Sequence, residues 1–472
     1  MNPSLRCCAS AAWAVLILAG CAVGPDYHRP AVEAPAFKEA GDWKPAEPAD
    51  QTPRGRWWQA YADPVLNGLE DRIEISSTTL QIAAAQYREA QAAAAIARAA
   101  LFPSLSADGS ADRARSAARP PFSGSIGNTV AAGLAANWEF DLWGNIRRGA
   151  EAGRAAAQAS AADLESARLS VHALLAQTYF SLRVAETQEN LYARLAEEYG
   201  RFLKITRNRY AQGVDTRADV AAAETQLKSA EAQVIDFNLQ RAQLEHAVAI
   251  LLGEPPATFS LPRTGLTSQP PVPPPLVPSE QLERRPDIAG AERRLAVACA
   301  QIGVAKGGYF PQISLSGAAG YQGTRFAGLL TSPNEVWSLG ASAVMPLFDA
   351  GKVRAQVAQA RAAYDASLAT YRQTVLAAFQ EVEDNLAAAS FLAREVAVQN
   401  EAVAAAREAA AIALNQYQAG IVSYLNVVTA QAAQLAAERA AVELVGRQLN
   451  ASVILLKAAG GDWRGSSSKS AH

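Results

Sequence analysis

The pattern of residues 208–253 returns in residues 415–460 at a constant offset of 207 positions. Self-similarity of this kind is the signature of a duplicated structural unit. Any fold for this chain must therefore contain the same element twice. The repeated positions are Asn208, Tyr210, Gly213, Val220, Ala223, Ala230, Glu231 and Gly253 in the first segment, and Asn415, Tyr417, Gly420, Val427, Ala430, Ala437, Glu438 and Gly460 in the second.

Two long stretches lack proline, although the chain contains 24 prolines. They run over residues 122–254 and 347–472 and are rich in Ala, Gln, Glu, Arg and Leu, which favour helices. The pattern predicts two antiparallel helical hairpins, at about 145–253 and about 351–460. The first helix would be about 66 residues long, on the order of 100 Å, which is too long for a compact globule.

The turn of each predicted hairpin follows a glycine, Gly213 in the first and Gly420 in the second. Asp215 and Thr216 come soon after the first glycine, and Ser423 comes after the second. Short polar side chains can satisfy the free N–H groups at the start of a helix. We therefore expect these three residues to cap the returning helices.

Two strand-like segments precede each hairpin, at about 104–112 and 129–138 and again at about 312–320 and 336–345. In the first segment of each pair, 104–112 and 312–320, small or apolar residues alternate with polar ones. This length and period is typical of tilted membrane strands, although a half-buried sheet in a soluble sandwich would show a similar alternation. Four strands cannot close a barrel, so membrane strands would require several copies of the chain.

The N-terminus has the features of a bacterial lipoprotein signal. Arg6 precedes a short apolar run at residues 9–19, and this run ends in Leu18-Ala19-Gly20-Cys21. The ending resembles a lipobox, in which the cysteine sulfur receives a diacylglycerol. We expect residues 1–20 to be a signal peptide and Cys21 to be lipidated, and Ala22 is similar to residues that permit sorting to the outer membrane.

Composition argues against several functional classes. The formal net charge is −2 over 472 residues, which is unlike a nucleic-acid-binding protein. The four histidines are isolated, and none has metal-ligand spacing to Cys or a carboxylate. The glycine-rich stretch around Lys306 lacks P-loop spacing and fits a helix end better. We expect neither catalysis, nor a metal site, nor a cofactor other than the covalent lipid on Cys21.

Motifs spread over nearly the whole chain after residue 20 are those of a known family. They are Cys21-Ala-Val-Gly-Pro-Asp-Tyr27, Trp57-Trp58, Asp63-Pro64, Trp138-Glu-Phe-Asp-Leu-Trp-Gly144, Arg284-Arg-Pro-Asp-Ile288, Ala291-Glu292, Tyr309-Phe-Pro311, Leu347-Phe-Asp-Ala-Gly351, Gln416-Tyr-Gln-Ala-Gly420 and Gly460-Gly-Asp-Trp463. In these motifs the chain resembles the outer-membrane efflux lipoproteins similar to TolC and OprM, in the NodT-type branch.

This resemblance implies an α+β, duplicated TolC-like fold. In that family, long antiparallel helical hairpins form a trimeric 12-helix α-barrel, and four strands per chain form a 12-stranded membrane β-barrel. The implied partners are two further copies of the chain, a periplasmic adaptor (membrane fusion) protein, an inner-membrane RND-type pump and outer-membrane lipid, with no nucleic acid. The implied parts are a signal peptide (1–20), a lipid-anchored extended segment (21–60), a first repeat (61–253), a Pro-rich linker (254–280), a second repeat (281–460) and a tail (461–472).

The resemblance also implies where the duct is gated. Residues just after the tip glycines should form a constriction, and the tips themselves should contact the adaptor. Relatives often carry acidic residues where this chain has Asn426 or Thr429, so a collar of Leu425 is the expected seal. The implied constriction residues are Asp219, Leu425, Asn426 and Thr429, and the implied tip and adaptor-contact residues are Gly213, Val214, Asp215, Gly420, Ile421 and Ser423.

Three functions fit these features. The first is a passive outer-membrane exit duct for small molecules such as drugs or toxic compounds. The second is a duct for type I protein secretion, which TolC-like ducts also serve, usually without a lipid anchor. The third is a structural periplasmic coiled-coil spacer. The alternating strands and the pair Trp138 and Trp337, which suit a membrane interface, argue against the spacer.

Overall fold

The computed structural model describes residues 22–30, 55–115, 117, 124–271 and 285–461. Within these ranges the chain is mostly helical and contains one antiparallel sheet. The helices are α1 (Pro64–Ser76), α2 (Thr78–Ala99), α3 (Asn145–Ala211), α4 (Arg217–Leu251), α5 (Pro286–Gly307), α6 (Lys352–Gln418) and α7 (Tyr424–Ala458). The strands are β1 (Ser104–Arg115), β2 (Ile126–Glu139), β3 (Gln312–Gly323) and β4 (Glu335–Val344).

Several sequence-based expectations concern residues outside these ranges. They are the signal peptide at 1–20, lipidation of Cys21, most of the extended segment at 21–60, the linker beyond residue 271 and the tail beyond residue 461. These expectations stay predictions.

The duplication is visible in the helices. Helices α3 and α6 each contain 67 residues, and helices α4 and α7 each contain 35. Each long helix is followed, after a short turn, by its shorter partner. The predicted fold class, with duplicated helical hairpins and four strands in one chain, is confirmed. In the described part of the chain, no helix combines the length and apolar character needed to cross a bilayer.

The four strands form one antiparallel sheet in the order β1-β2-β3-β4. Neighbours in the sheet are neighbours in sequence order, so β1 and β4 are its two edges. Pairing continues past the predicted strand ends: β1 reaches Arg115, β2 begins at Ile126, and β3 reaches Gly323.

The register gives the sheet two chemically different faces. One face is mainly apolar and the other mainly polar, which is the pattern of strands with lipid on one side and water on the other. The apolar face includes Leu105, Ala107, Ala111, Val130, Leu134, Leu315, Trp337 and Leu339. The polar face includes Ser104, Ser106, Asp108, Ser110, Asp112, Thr129, Asn137, Ser314, Ser316 and Ser342.

The chain divides into two compact units. The described residues of the first lie within 1–31, 86–161 and 290–372, and this unit contains the sheet. In it, the N-terminal segment 22–30 is held by an ion pair between Asp26 and Arg148, 2.6 Å apart. A close backbone approach also holds this segment, because a Cβ on Gly24 would lie 2.6 Å from the Cα of Gly303.

The described residues of the second unit lie within 32–85, 162–289 and 373–472. Its buried Asp63 caps α1 by accepting hydrogen bonds from the backbone N–H groups of Val65 (2.9 Å) and Leu66 (3.1 Å). The same carboxylate accepts from the hydroxyls of Tyr179 (2.7 Å) on α3 and Ser268 (3.0 Å) in the linker. One acidic side chain therefore joins α1, α3 and the linker.

A buried acid and histidine also hold α1 against α3 in this unit. The fully buried Glu70 places its carboxylate oxygen 2.5 Å from Nδ1 of His172, whose Nε2 lies 2.8 Å from Glu74. Trp58 stacks on the imidazole at 4.6 Å. Burial raises the pKa of Glu70 to about 7. Burial opposes the charge of His172, but the two glutamates outweigh it and raise the pKa of this histidine.

We expect thermal stability in detergent to fall as the pH rises from about 4.5 towards 7. Over this interval the native Glu70 keeps a proton that the unfolded chain releases, and the raised pKa of His172 acts in the same direction. Circular-dichroism melting curves at several pH values would measure this trend. Glu70→Gln should flatten it, and replacement of the exposed Glu89 by Gln should not. A melting temperature that rises over this range would contradict the assignment.

Candidate functional site

The two hairpin turns share one backbone geometry. Gly213 and Gly420 have φ values of 75° and 76°. In both turns the glycine N–H donates to the carbonyl three residues earlier, and the next N–H donates to the carbonyl five residues earlier. A Cβ would meet nothing within 4 Å at either glycine, so the left-handed conformation alone calls for glycine here.

The start of α4 has a reciprocal capping box. The Thr216 hydroxyl accepts from the Asp219 N–H at 3.2 Å, and the Asp219 carboxylate accepts from the Thr216 N–H at 2.9 Å and its hydroxyl at 2.6 Å. The expected cap at Thr216 is therefore confirmed. Asp219 uses its carboxylate for this cap, and Arg209 binds Asp215.

The other two expected caps differ from the prediction. Ser423 occupies the N-cap position of α7, but its side chain makes no capping hydrogen bond. Asp215 precedes the cap residue of α4, and its carboxylate accepts from Nε of Arg209 at 3.0 Å on both oxygens. The guanidinium competes for this carboxylate with a stronger, charge-assisted bond.

Asp215 also connects the two hairpins. The hydroxyl of Tyr417, near the end of α6, donates to the Asp215 carboxylate at 3.0 Å. The guanidinium of Arg209 lies 4.9 Å from the centre of the same tyrosine ring. We call Arg209, Asp215 and Tyr417 the tip latch. The hydrogen bond to Asp215 raises the pKa of Arg209, so the guanidinium stays charged.

The tip latch lies over a small apolar cluster. Tyr417 and Tyr424 pack at 5.6 Å between ring centres, and burial raises the pKa of Tyr424 to about 12. The cluster draws side chains from both hairpins, so it holds their ends together within one chain. Its buried members are Phe202, Leu203, Val220, Ala223, Tyr417, Tyr424 and Val427.

The expected constriction residues of α7 share the opposite, exposed face of the helix. Leu425 is 68% exposed, and Asn426 and Thr429 are exposed beside it, whereas Tyr424 and Val427 are buried. The Thr429 hydroxyl donates to the Leu425 carbonyl at 2.9 Å, so the polar end of that side chain is occupied. The structure brings these three residues together on one surface.

Further apolar side chains are exposed at the turns. Val214 is 61% exposed in the first turn, and Ile421 is 73% exposed in the second. Neither is needed for the glycine turn geometry. Each hairpin turn therefore leaves one aliphatic side chain exposed.

The outer membrane efflux protein family matches residues 70–254 and 277–461 of this chain. The two matched ranges cover most of the chain and correspond to its two repeats. The chain belongs to the outer membrane efflux protein family.

Individual relatives agree with this assignment. The chain is 31% identical to the pyoverdine export outer membrane protein OpmQ of Pseudomonas aeruginosa, over 87% of this chain and 88% of the relative. It is 30% identical to the solvent efflux pump outer membrane protein SrpC of Pseudomonas putida, over 96% and 97%. The solved structure of the outer-membrane channel OprN is similar with a TM-score of 0.86 and 31% identity, covering 94% of this chain and 100% of OprN.

These likenesses fix the class of function and the location. The protein is an efflux channel of the outer membrane, as the sequence predicted. The expectation that it is a duct and not a periplasmic spacer is confirmed.

We expect Asp215→Asn to loosen the hairpin ends, because it removes the charge that binds Arg209 and weakens the bond to Tyr417. An ion pair of this exposure contributes about 1 kcal/mol, so the ends should open roughly fivefold more often. Limited trypsin digestion at the arginines of the turn would measure the change. Glu231→Gln, which removes an exposed ion pair with Lys228 on α4, is the matched control. Equal cleavage rates in the two variants would show that the tip latch does not hold the turns.

Proposed function

We propose that three copies of this chain form an exit duct with one continuous membrane β-barrel. The sheet has two open edges, β1 and β4, whose outward backbone groups find no partner within the sheet. In lipid each unpaired group is unfavourable by several kcal/mol. Pairing β1 of one copy with β4 of the next removes every edge, and three copies give the twelve strands of the family's barrel.

The same assembly would bring three pairs of hairpin tips around one axis. Of the two helices that start at the tips, α7 presents the exposed face of Leu425, Asn426 and Thr429 described above. None of these side chains is charged, and the Asp219 carboxylate is occupied by Thr216. We infer that the closed end is sealed by an apolar collar of three Leu425 side chains, because a narrow apolar constriction can exclude water and ions.

Opening would require the tips to move apart. The tip latch fixes α6 of the second hairpin to the turn of the first, so the hairpins of one chain must separate there or move as a pair.

We propose that a periplasmic adaptor docks on the tips through Val214 and Ile421 together with the turn residues Gly213, Asp215, Gly420 and Ser423. An inner-membrane RND-type pump would supply the energy, and the duct itself would be passive.

The names of the relatives support a proposal about the cargo class. Their names describe export of solvents, toluene and pyoverdine, all of them small molecules. We propose that this chain also conducts small toxic or secreted compounds. We prefer small-molecule efflux to type I protein secretion, because the relatives named for small-molecule efflux match along nearly the whole length of the chain.

Lipidation of Cys21 would fit the folded N-terminal segment. Val23, two residues further on, donates its backbone N–H to the carbonyl of Trp143 at 2.9 Å. A Cβ on Gly144 would lie 2.8 Å from the Cα of Ala22. The residue next to Cys21 is therefore held just beyond the end of β2, and acyl chains attached there would enter the membrane beside the barrel.

We expect mass spectrometry of the membrane-extracted protein to find residues 1–20 removed and Cys21 acylated. Cys21→Ser should abolish the lipid mass and weaken membrane attachment, while the barrel strands still hold the protein in lipid. Cys299→Ser, at a buried cysteine far along the sequence, is the control and should keep the lipid. An intact N-terminus, or an unmodified cysteine at position 21, would overturn this proposal.

We expect Leu425→Ser to raise single-channel conductance in planar bilayers and to make cells leaky to large antibiotics, because a polar collar wets more easily. Leu239→Ser changes an exposed leucine of α4 instead, and it should leave conductance and antibiotic leakage unchanged. Asp219→Asn should weaken the start of α4, because it removes the charge from the capping box, and leave ion selectivity unaltered. If Leu425→Ser trimers, verified by native mass spectrometry, conduct like the parent, the constriction lies elsewhere.

A further inference from the structure

The end of the sheet that is remote from the hairpins is rich in arginine. Among the described residues 113–115, 117, 124–128 and 321–335, this end contains three arginines, Arg113, Arg115 and Arg325, and a single acidic residue, Glu335. The opposite end continues into Asp141 and Asp349, both engaged in capping the helices that follow. The sheet therefore has one basic end, which we call the basic rim.

The register places two of these arginines on the apolar face. Arg113 pairs with Asn128 and Arg115 pairs with Ile126, in continuous alternation with Leu105 and the small residues that follow it on β1. Both arginines are exposed. They extend the face that meets lipid, and they lie about 7 Å apart because they are two residues apart on one strand.

The two guanidinium groups carry no ion-pair partner among the residues that the structure describes. The acid of the basic rim, Glu335, is on β4, three strands away from β1. At about 4.8 Å per strand this is roughly 14 Å, well beyond a salt bridge within one chain. Within the part of the chain that the structure describes, the charges of Arg113 and Arg115 are therefore uncompensated.

Aromatic side chains mark the depth of this end in the membrane. Trp337 is 73% exposed on the apolar face, and Tyr321 shares that face next to the basic rim. Tryptophan and tyrosine prefer the boundary between hydrocarbon and headgroups. By the register, Tyr321 is level with Gly109 on β1, so Arg113 and Arg115 lie four and six residues further along the strand, about 13 and 20 Å beyond the ring. At headgroup level a guanidinium can bind phosphate through two parallel hydrogen bonds.

We propose that Arg113 and Arg115 form a binding site for the phosphorylated headgroup of a glycolipid in the outer leaflet. The proposal rests on the orientation given above, in which the hairpins lie on the periplasmic side and the basic rim faces outward. Each assembled trimer would carry three such sites around the barrel, each beside the seam where β1 meets the neighbouring copy.

Native mass spectrometry of the detergent-solubilised trimer with added bisphosphorylated lipid A tests the site. The double variant Arg113→Gln/Arg115→Gln should bind it about tenfold more weakly than the parent. Arg354→Gln/Arg361→Gln, which removes the same charge from exposed positions on α6, should bind it as the parent does. Dephosphorylated lipid A should bind the parent and the first variant equally weakly.

Two results would overturn the site. The first is equal binding of bisphosphorylated lipid A by the parent and by the Arg113/Arg115 variant. The second is loss of trimers in Arg113→Glu that is restored by Glu335→Arg, since this would assign the arginines to an ion pair between copies. Single-channel conductance of the parent and of the Arg113/Arg115 variant separates this test from the channel proposal. If both conduct normally and bind bisphosphorylated lipid A equally, the lipid site is refuted and the channel proposal is not.

Discussion

A four-stranded sheet cannot satisfy its own edges, and most of this structure makes sense as an answer to that constraint. The edge strands β1 and β4 carry backbone donors and acceptors that only another strand can pair. The sheet has an apolar face suited to lipid, where unpaired backbone groups are least tolerable. Under the proposal made above, assembly of several copies would be a condition for inserting the chain, and closing the sheet would bring the helical hairpins of those copies together.

The sequence predicts the helices well because their ends depend on local chemistry. A glycine with positive φ follows each long helix, and Thr216 with Asp219 caps α4 through contacts three residues apart. The sequence-based ends of β1 and β3 fall three residues before the observed ends, and on β1 the reason is physical. On β1 the apolar face continues into Arg113 and Arg115, so the alternation of hydrophobicity stops while the backbone pairing goes on.

The tip latch was beyond sequence reasoning, because it depends on a contact between side chains 202 residues apart. The repeat itself contains a signal. At the offset of 207, Arg209 corresponds to Gln416 and Asp215 to Val422, so two of the three members exist in one half only. Sequence reasoning also does not find the pair of Glu70 and His172. A histidine that is isolated in sequence can still meet a glutamate from another helix.

The equal helix lengths of the two hairpins limit how such a chain can change over evolution. Adding a single residue to one helix would turn everything beyond it by about 100° and shift it by 1.5 Å. Tyr417 would then no longer face Asp215, and the exposed face of α7 would rotate away from its neighbours. Viable length changes are those made in both hairpins at once and in whole-turn multiples, so ducts of different reach should differ by matched insertions of about seven or eleven residues.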